Sequence, residues 1–133
     1  MPVNQNDHTI SKPVFTNPIF VTGGNIERLP TGSFHANYIP EINGERLIKP
    51  GLIVARLGAA DNYKYVPADT SANYGTGSDT AVGIIPELVD GTLGDPQVSP
   101  VVMAHVVESR CYTYTASEGP SNWKSDLTKI LWR

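Results

Sequence analysis

The chain has 133 residues, the length of one domain with a sizeable buried core. Its 12 glycines and 11 prolines argue against a helical bundle and favour a turn-rich β architecture. The 10 Lys and Arg residues are scattered among 13 Asp and Glu residues, for a net charge of −3, which excludes nucleic-acid binding through phosphate neutralisation as the main activity.

The first part of the chain, residues 1–44, is predicted to be an extended arm followed by a pre-core segment. Five of the eleven prolines lie here, and this density forbids a helix and interrupts a central strand. Disordered tails are poor in apolar residues, whereas this segment has apolar clusters at 14–15 and 19–21. We therefore expect an arm that docks on a partner surface, through Val3, Ile10, Val14, Phe15, Ile19, Phe20 and Val21.

The second part, residues 45–133, is predicted to be the folded, β-rich domain. The predicted strands lie at residues 51–57, 63–66, 81–85 and 101–107. The first is rich in aliphatic and β-branched residues and follows Pro50, and a turn at 58–62 connects it to the second. The last is apolar on both faces apart from His105, which predicts the most buried strand.

A short helix is predicted over about 121–131, near the end of the chain. Its apolar positions are Trp123, Leu127, Ile130 and Leu131, which lie on one face of a 3.6-residue period. Pro120 and Ser121 supply start signals for such a helix. Because the segment is short, we expect it to depend on packing against the domain.

The sequence carries no recognisable catalytic motif: we find no His-Glu-x-x-His, no Walker loop and no Gly-x-Ser-x-Gly elbow. The segment Gly75–Asp79 lacks the third glycine of a dinucleotide fingerprint and is predicted to be an ordinary flexible loop. Cys111 and His105 are candidates for a nucleophile and its base, but a buried structural thiol is the favoured interpretation. The scattered histidines and carboxylates select no metal site, and a single cysteine excludes a disulfide framework. We predict no catalytic residue, no metal and no cofactor.

Four tyrosines leave one binding alternative open. Tyr63, Tyr65, Tyr112 and Tyr114 would form a carbohydrate-binding platform, because aromatic faces stack on ligands. The interpretation that we favour is that they pack at the edges of the core and in a subunit contact.

Residues 76–85, Thr-Gly-Ser-Asp-Thr-Ala-Val-Gly-Ile-Ile, form a polar turn that leads into an aliphatic strand, and Val89-Asp90 follows. This stretch resembles the central signature of the lambda-like head decoration proteins of tailed bacteriophages. Residues 50–54 resemble the first core strand of that family, residues 63–67 its short returning strand, and residues 101–107 a strand ahead of its terminal region. The resemblance covers less than half of the chain.

The resemblance implies a mostly β fold with little helix. Together with the patterns above, the expected architecture is a compact small β-barrel or tulip-like domain with a long extended N-terminal arm and one short C-terminal helix. The resemblance also implies a homotrimer at local threefold positions of the outer capsid surface, with the arm joined to the major capsid protein. Low charge and the apolar strand at 101–107 add a reason to expect a covered intersubunit surface.

The implied function is that of a non-enzymatic capsid decoration, or cement, protein of the virion, made in the host cytoplasm. The aliphatic runs are too short to cross a bilayer, and the first twenty residues lack the apolar core of a signal peptide. We therefore expect no membrane partner and no nucleic-acid partner. The alternatives from other classes are a tail or baseplate β-domain and a small carbohydrate-binding module for host adhesion.

Overall fold

The computed structural model describes residues 19–21, 25–115 and 117–133. The strands in these residues are β1 (Glu27–Arg28), β2 (Gly32–Ser33), β3 (Glu41–Ile42), β4 (Glu45–Ile48), β5 (Leu52–Arg56), β6 (Tyr65–Pro67), β7 (Ala81–Ile85), β8 (Val89–Asp90), β9 (Gln97–Val98), β10 (Val101–Val106) and β11 (Ile130–Trp132). Short 3-10 turns lie at Ala36–Tyr38, Ala59–Asp61, Glu108–Arg110 and Pro120–Asn122. The fold is mostly β, as the turn-rich composition predicted, and no helix among the described residues is long and apolar enough to cross a membrane.

The largest sheet has six strands, and its main path runs β1-β10-β7-β5-β6. The neighbours on this path are antiparallel, while β11 joins β10 in parallel. The strands predicted at 51–57, 81–85 and 101–107 are confirmed as β5, β7 and β10. The returning strand forms two residues later than predicted at its start, at Tyr65–Pro67.

Two hydrophobic cores lie on opposite faces of this sheet, and the alternation along β5 explains why. Ile53 and Ala55 belong to the first core, whereas Leu52 and Val54 belong to the second, and all four are fully buried. A strand that is buried on both faces needs a nearly continuous apolar run, which is the sequence pattern of this segment. The first core is closed by Trp123, Leu127, Ile130 and Ile19, and the second by Phe34, Ile39, Ile48 and Val98.

Two small sheets extend the domain: β2 pairs with β9, and β3, β4 and β8 form a three-stranded sheet. Asn43 and Gly44 connect β3 to β4 with φ angles of 54° and 82°, the left-handed pair that a two-residue hairpin turn requires. Strands from before residue 45 therefore pair with strands after it, since β1 pairs with β10 and β3 with β4.

The predicted closed barrel is wrong, because the six-stranded sheet remains open between β1 and β6. The β6 edge meets a different segment instead of β1. Phe34 forms a parallel bridge with Tyr65, and the N–H of His35 donates to the Tyr65 carbonyl at 2.9 Å. With its edge occupied by this segment, β6 has no free side on which β1 could close a barrel.

The predicted helix at 121–131 is also wrong. The segment begins with the 3-10 turn at Pro120–Asn122, continues through turns and ends in β11. Trp123, Leu127 and Ile130 do face the core, so the apolar spacing was correctly interpreted as burial. Parallel pairing of β11 with β10 replaces helical hydrogen bonds, and it leaves the Leu131 side chain 64% exposed. A short segment with little helical stability of its own follows the tertiary pairing that is available.

Candidate interaction surface

The chain enters the domain along an edge of the six-stranded sheet, beside β10. The N–H of Val107 donates to the carbonyl of Ile19 at 2.7 Å, and the N–H of Val21 donates to the carbonyl of His105 at 2.8 Å. Phe20 lies between these two bonds, opposite Val106 in an antiparallel bridge. In this arrangement the N–H and C=O of Phe20 point to the outer edge of the sheet. An extended strand from a partner can add to such an edge.

Three of the seven residues predicted to bind a partner, Ile19, Phe20 and Val21, lie on this edge of the sheet. Ile19 is fully buried in the first core of its own chain, so in this conformation its side chain is not available to a partner. Phe20 is half-buried against the same core, and Val21 is half-buried beside His105. The other four, Val3, Ile10, Val14 and Phe15, lie outside the described residues. Sequence reasoning missed the burial of Ile19 because its bridge partner segment is far away in the chain.

Residue 19 and the C-terminal residue meet at the same corner. The N–H of Arg133 donates to the carbonyl of Val106, and the N–H of Glu108 donates to the carbonyl of Arg133, both at 2.9 Å. Val107, which lies between Val106 and Glu108 in the chain, donates its N–H to the carbonyl of Ile19. The first 18 residues therefore join the domain where its last strand also ends.

Charged side chains protect the neighbouring edge strand, β1. Glu27 and Arg28 are both exposed, and the Arg28 guanidinium bonds Glu87 at 2.5 Å and the carbonyl of Ser99 at 2.9 Å. Charges on a short edge strand discourage unwanted strand addition. The apolar end of this sheet edge is therefore at residues 19–21 and not at β1.

One face of the apolar strand β10 is covered within its own chain. Val101, Ala104 and Val106 all belong to the first core, although they do not alternate strictly. A register shift against β1, where Glu27 pairs with Met103 and Arg28 with Val101, permits this arrangement. Val102, Met103 and His105 stay partly exposed, and β5 is more fully buried than β10, so the prediction that β10 is the most buried strand is wrong.

An open groove of about 400 Å³ lies on the other face of β10 and β11. Its apolar part is formed by Met103 and the exposed Leu131, with His105 between them along the strands. Asn25, Thr128 and Lys129 form its polar rim. The groove lies on the same strand as the carbonyl that holds Val21, so it adjoins the entry edge.

The four tyrosines lie at opposite ends of β5 and do not form one platform. Tyr65 pairs with Arg56, is fully buried, and donates its hydroxyl hydrogen to the carbonyl of Pro30 at 3.0 Å. Tyr63 is exposed, with the Arg56 guanidinium 5.6 Å from its ring centre. Tyr112 bridges Leu52 at the other end, and its ring lies 5.9 Å from that of Tyr114.

The Cys111 thiol is poorly suited to act as a nucleophile. Its side chain is buried, and its sulfur lies 3.7 Å from the carbonyl oxygen of Val107. Burial, with a smaller contribution from the Glu108 carboxylate, raises the pKa of Cys111 to about 12. Since the thiolate is the reactive form, this environment suits the structural thiol that the sequence analysis favoured. Among the described residues no group of three His, Cys, Asp or Glu side chains is arranged to hold a metal ion.

The glycine-rich loop at 75–79 is held by internal hydrogen bonds. Ser78 is fully buried, and its hydroxyl donates to the carbonyl of Gly75 at 2.7 Å. The backbone carbonyl of Ser78 accepts the N–H of Asp69 at 2.9 Å. The buried Asp69 carboxylate accepts the N–H of Asn73 and the hydroxyl of Thr115. An aspartate side chain that accepts a nearby backbone N–H is the usual role of this residue type in a turn.

A comparison with protein-family models found no match to this chain, and a search of curated proteins found no significantly similar sequence.

Proposed function

We propose that this chain is a capsid decoration protein, which binds the outer surface of an assembled phage head and stabilises it by bridging major capsid proteins. The proposal starts from the resemblance of residues 50–107 to the head decoration family. In this proposal the protein acts as a homotrimer at local threefold positions and catalyses no reaction. Its binding segment is the arm, with Val3, Ile10, Val14 and Phe15 as the apolar contacts.

One observation carries the proposal: the arm is attached to the domain at a fully buried residue on a sheet edge. Ile19 is held by the first core and by the N–H of Val107. The 18 residues before it span up to about 60 Å when extended. A long segment that carries a few apolar side chains and is fixed at one end is suited to reach a neighbouring subunit while its own domain stays folded.

The outer edge at Phe20 offers a way to bind. A strand of the capsid protein that added at this edge would gain backbone hydrogen bonds from Phe20 and from the arm residues before it. Alternate side chains along such a strand would fix its register. The adjacent residues Val14 and Phe15 would then contact opposite faces of the added strand.

Mass action supplies the stabilisation of the shell. A protein that binds the assembled shell, but not its dissociated subunits, stabilises each site by about 2.7 kcal/mol at one hundred times the dissociation constant. Many copies act on one shell, so modest energies at single sites add up.

The test uses the full-length protein and two preparations, which are empty expanded heads for binding and undecorated DNA-containing heads for thermal release. Wild-type protein should add to the empty heads until the sites are full, and it should raise the temperature at which the DNA-containing heads release DNA as occupancy rises. The variant Val14→Asp/Phe15→Asp should fail at both, because its charges would enter an apolar contact. Leu93→Asp is the matched control, since Leu93 is fully exposed in a loop of the folded domain.

Two results would contradict the proposal. One is that the arm variant saturates heads at the same concentration as wild type. The other is that DNA-containing heads release DNA at the same temperature with all protein sites occupied as with none occupied. Binding of the isolated protein to a sugar would instead support the host-adhesion alternative.

A further inference from the structure

A second apolar groove, of about 200 Å³, lies beside the β3–β4 hairpin. It is lined by Pro40, Ile42, Leu47, Lys49, Tyr112 and Tyr114. The hairpin supplies the first four from one face, because positions 40 and 42 alternate along one side of the turn and positions 47 and 49 along the other. Ile48 points to the opposite face and is fully buried in the second core. The groove is therefore a shallow surface feature on a hairpin that the core holds from behind.

The two tyrosines present ring faces to this groove. The rings are inclined at 56°, with their centres 5.9 Å apart, and both pack against the second core. The Tyr112 hydroxyl donates to the carbonyl of Lys49 at 2.8 Å, and the hydroxyl oxygen of Tyr114 is shielded from solvent. The rings are thus held in place and offer apolar surface, and a preformed surface binds with little ordering cost.

An exposed aliphatic residue and an unpaired charge complete the groove. Ile42 lies on the edge strand β3 and is 65% exposed, and such a side chain next to an apolar groove marks an interaction site. Lys49 is exposed and is the only charged residue among the six, and no carboxylate of the described residues forms an ion pair with it. The groove is therefore apolar with a positive charge at one end.

This chemistry limits what can bind. The volume suits one or two side chains of an extended segment and excludes a folded element. Burying the hydroxyl groups of a sugar requires several hydrogen-bond partners, whereas the lining side chains offer only the Lys49 ammonium. Angled aromatic surfaces bind extended segments that contain proline, because such segments lose little entropy on binding.

We propose that this groove binds an extended, proline-containing segment of a partner protein, with an acidic residue of that segment beside Lys49. The proline ring packs on the faces of Tyr112 and Tyr114, and a neighbouring apolar side chain of the segment contacts Ile42. The carboxylate fixes the direction of the segment, since charge complementarity contributes mainly to specificity. This binding site does not depend on the proposed function.

The surface of a second copy is a poorer match to the groove. None of the exposed large apolar residues in the described part of the chain is next to a proline in sequence; these residues are Ile26, Ile42, Tyr63, Leu93 and Leu131. A second copy therefore offers no exposed apolar residue of this part of the chain joined to a proline.

Peptide titration of the full-length, isotope-labelled protein tests the site without any capsid. The probe is acetyl-Asp-Pro-Pro-Leu-Pro-amide, and its matched control has alanine in place of each proline. The amide signals of Ile42, Leu47, Lys49 and Tyr112 should shift and saturate with the proline peptide at concentrations up to about 1 mM. The alanine peptide should shift them far less, because it pays a larger ordering cost.

Two substitutions at exposed positions test the assigned contacts. Ile42→Asp should weaken binding by about tenfold or more, because it places a charge in the apolar contact. Lys49→Glu should weaken the same peptide and should instead favour the peptide that begins with Lys, because the attraction is reversed. Leu93→Asp is the matched control and should bind as wild type does. Unchanged melting temperatures show that the variants are folded.

Three results would overturn the inference. The first is that neither peptide shifts these signals, or that the alanine peptide shifts them equally. The second is that the same signals shift when the protein alone is concentrated, because the occupant is then a second copy. The third is that maltotriose or cellotriose shifts them and the proline peptide does not. A protein that binds the peptide but adds to no phage head would retain this inference and lose the proposed function.

Discussion

The carbonyl of Ile19 accepts the N–H of Val107 at 2.7 Å, while the Ile19 side chain is fully buried in the first core. This pair joins the start of the described chain to the end of β10. Ile19 is therefore a structural residue of the domain, and the predicted arm can include only residues before it. A truncation meant to remove only the arm has to stop before Ile19.

Ile19→Ala is expected to lower the free energy of unfolding by about 2–5 kcal/mol, because it leaves a cavity in a packed core. Urea titration followed by tryptophan fluorescence measures this change, since Trp123 lies in the same core. Leu131→Ala is the matched control and should change stability by less than about 0.5 kcal/mol, because Leu131 is 64% exposed. Equal effects of the two substitutions would show that Ile19 is not held in the core.

Gly51→Ala is expected to destabilise the domain strongly. Gly51 has a φ of +106°, and a Cβ built there lies 2.0 Å from the carbonyl oxygen of Arg110. The backbone next to it holds Tyr112 and the start of β5, so relief of this clash has to move a central strand. We expect a loss of several kcal/mol, measured as a lower melting temperature.

Gly58→Ala is the matched control for Gly51→Ala, because Gly58 lies in the connection between β5 and β6. Gly58 has extended backbone, and no atom lies within 4 Å of its would-be Cβ. The substitution should leave stability unchanged or raise it by about 0.4–1 kcal/mol through a less flexible unfolded chain. A large loss at Gly58 and none at Gly51 would contradict the described backbone.

The environment of Cys111 predicts a loss of stability in alkaline solution. Burial raises the pKa of this thiol from 9.0 to about 12 in the folded state. Below pH 9 the thiol is neutral in both states, so stability from this group is fully present there. Between pH 9 and about 12 only the unfolded state ionises, and the free energy of unfolding should fall by up to about 1.4 kcal/mol per pH unit.

Cys111→Ala isolates this effect, because the tyrosines that also titrate at high pH are common to both proteins. The difference in unfolding free energy between wild type and variant should change across pH 9–12 and stay constant below it. Iodoacetamide should modify native Cys111 far more slowly than the urea-unfolded chain at pH 8. Equal rates of modification would show that the thiol is not buried.

Asp69→Asn is expected to weaken the loop at 69–78. Burial raises the pKa of Asp69, but hydrogen bonds from the Asn73 backbone and from Thr115 outweigh it and hold the pKa below its usual value. The stability from this carboxylate is present above pH 3.8 and is lost as pH falls through the lowered folded pKa. At neutral pH the substitution should cost about 1–3 kcal/mol, and the difference should narrow near pH 2. Asp61→Asn, in an exposed turn, should have little effect at either pH.

Local patterns predicted the strands and failed where distant pairing decides the structure. The aliphatic run at 81–85 carries its own strand preference and is confirmed as β7. At 121–131 the helical spacing of Trp123, Leu127 and Ile130 is real, yet β10 offers Ile130–Trp132 a parallel neighbour that no local pattern reveals. Ile19 resembles other arm residues in sequence, and only its pairing with Val107 sets it apart.

The direction in which the chain leaves the sheet sets how the domain would respond to tension. Residues 19–21 run antiparallel to β10, and their two hydrogen bonds to Val107 and His105 lie side by side across the strands. A pull on residue 18 along the strand axis strains both bonds at once, in shear, whereas a pull away from the edge would open them one after the other. A pull on the chain at Ile19 would therefore be resisted best along the line of β10, and the force would pass directly into that strand.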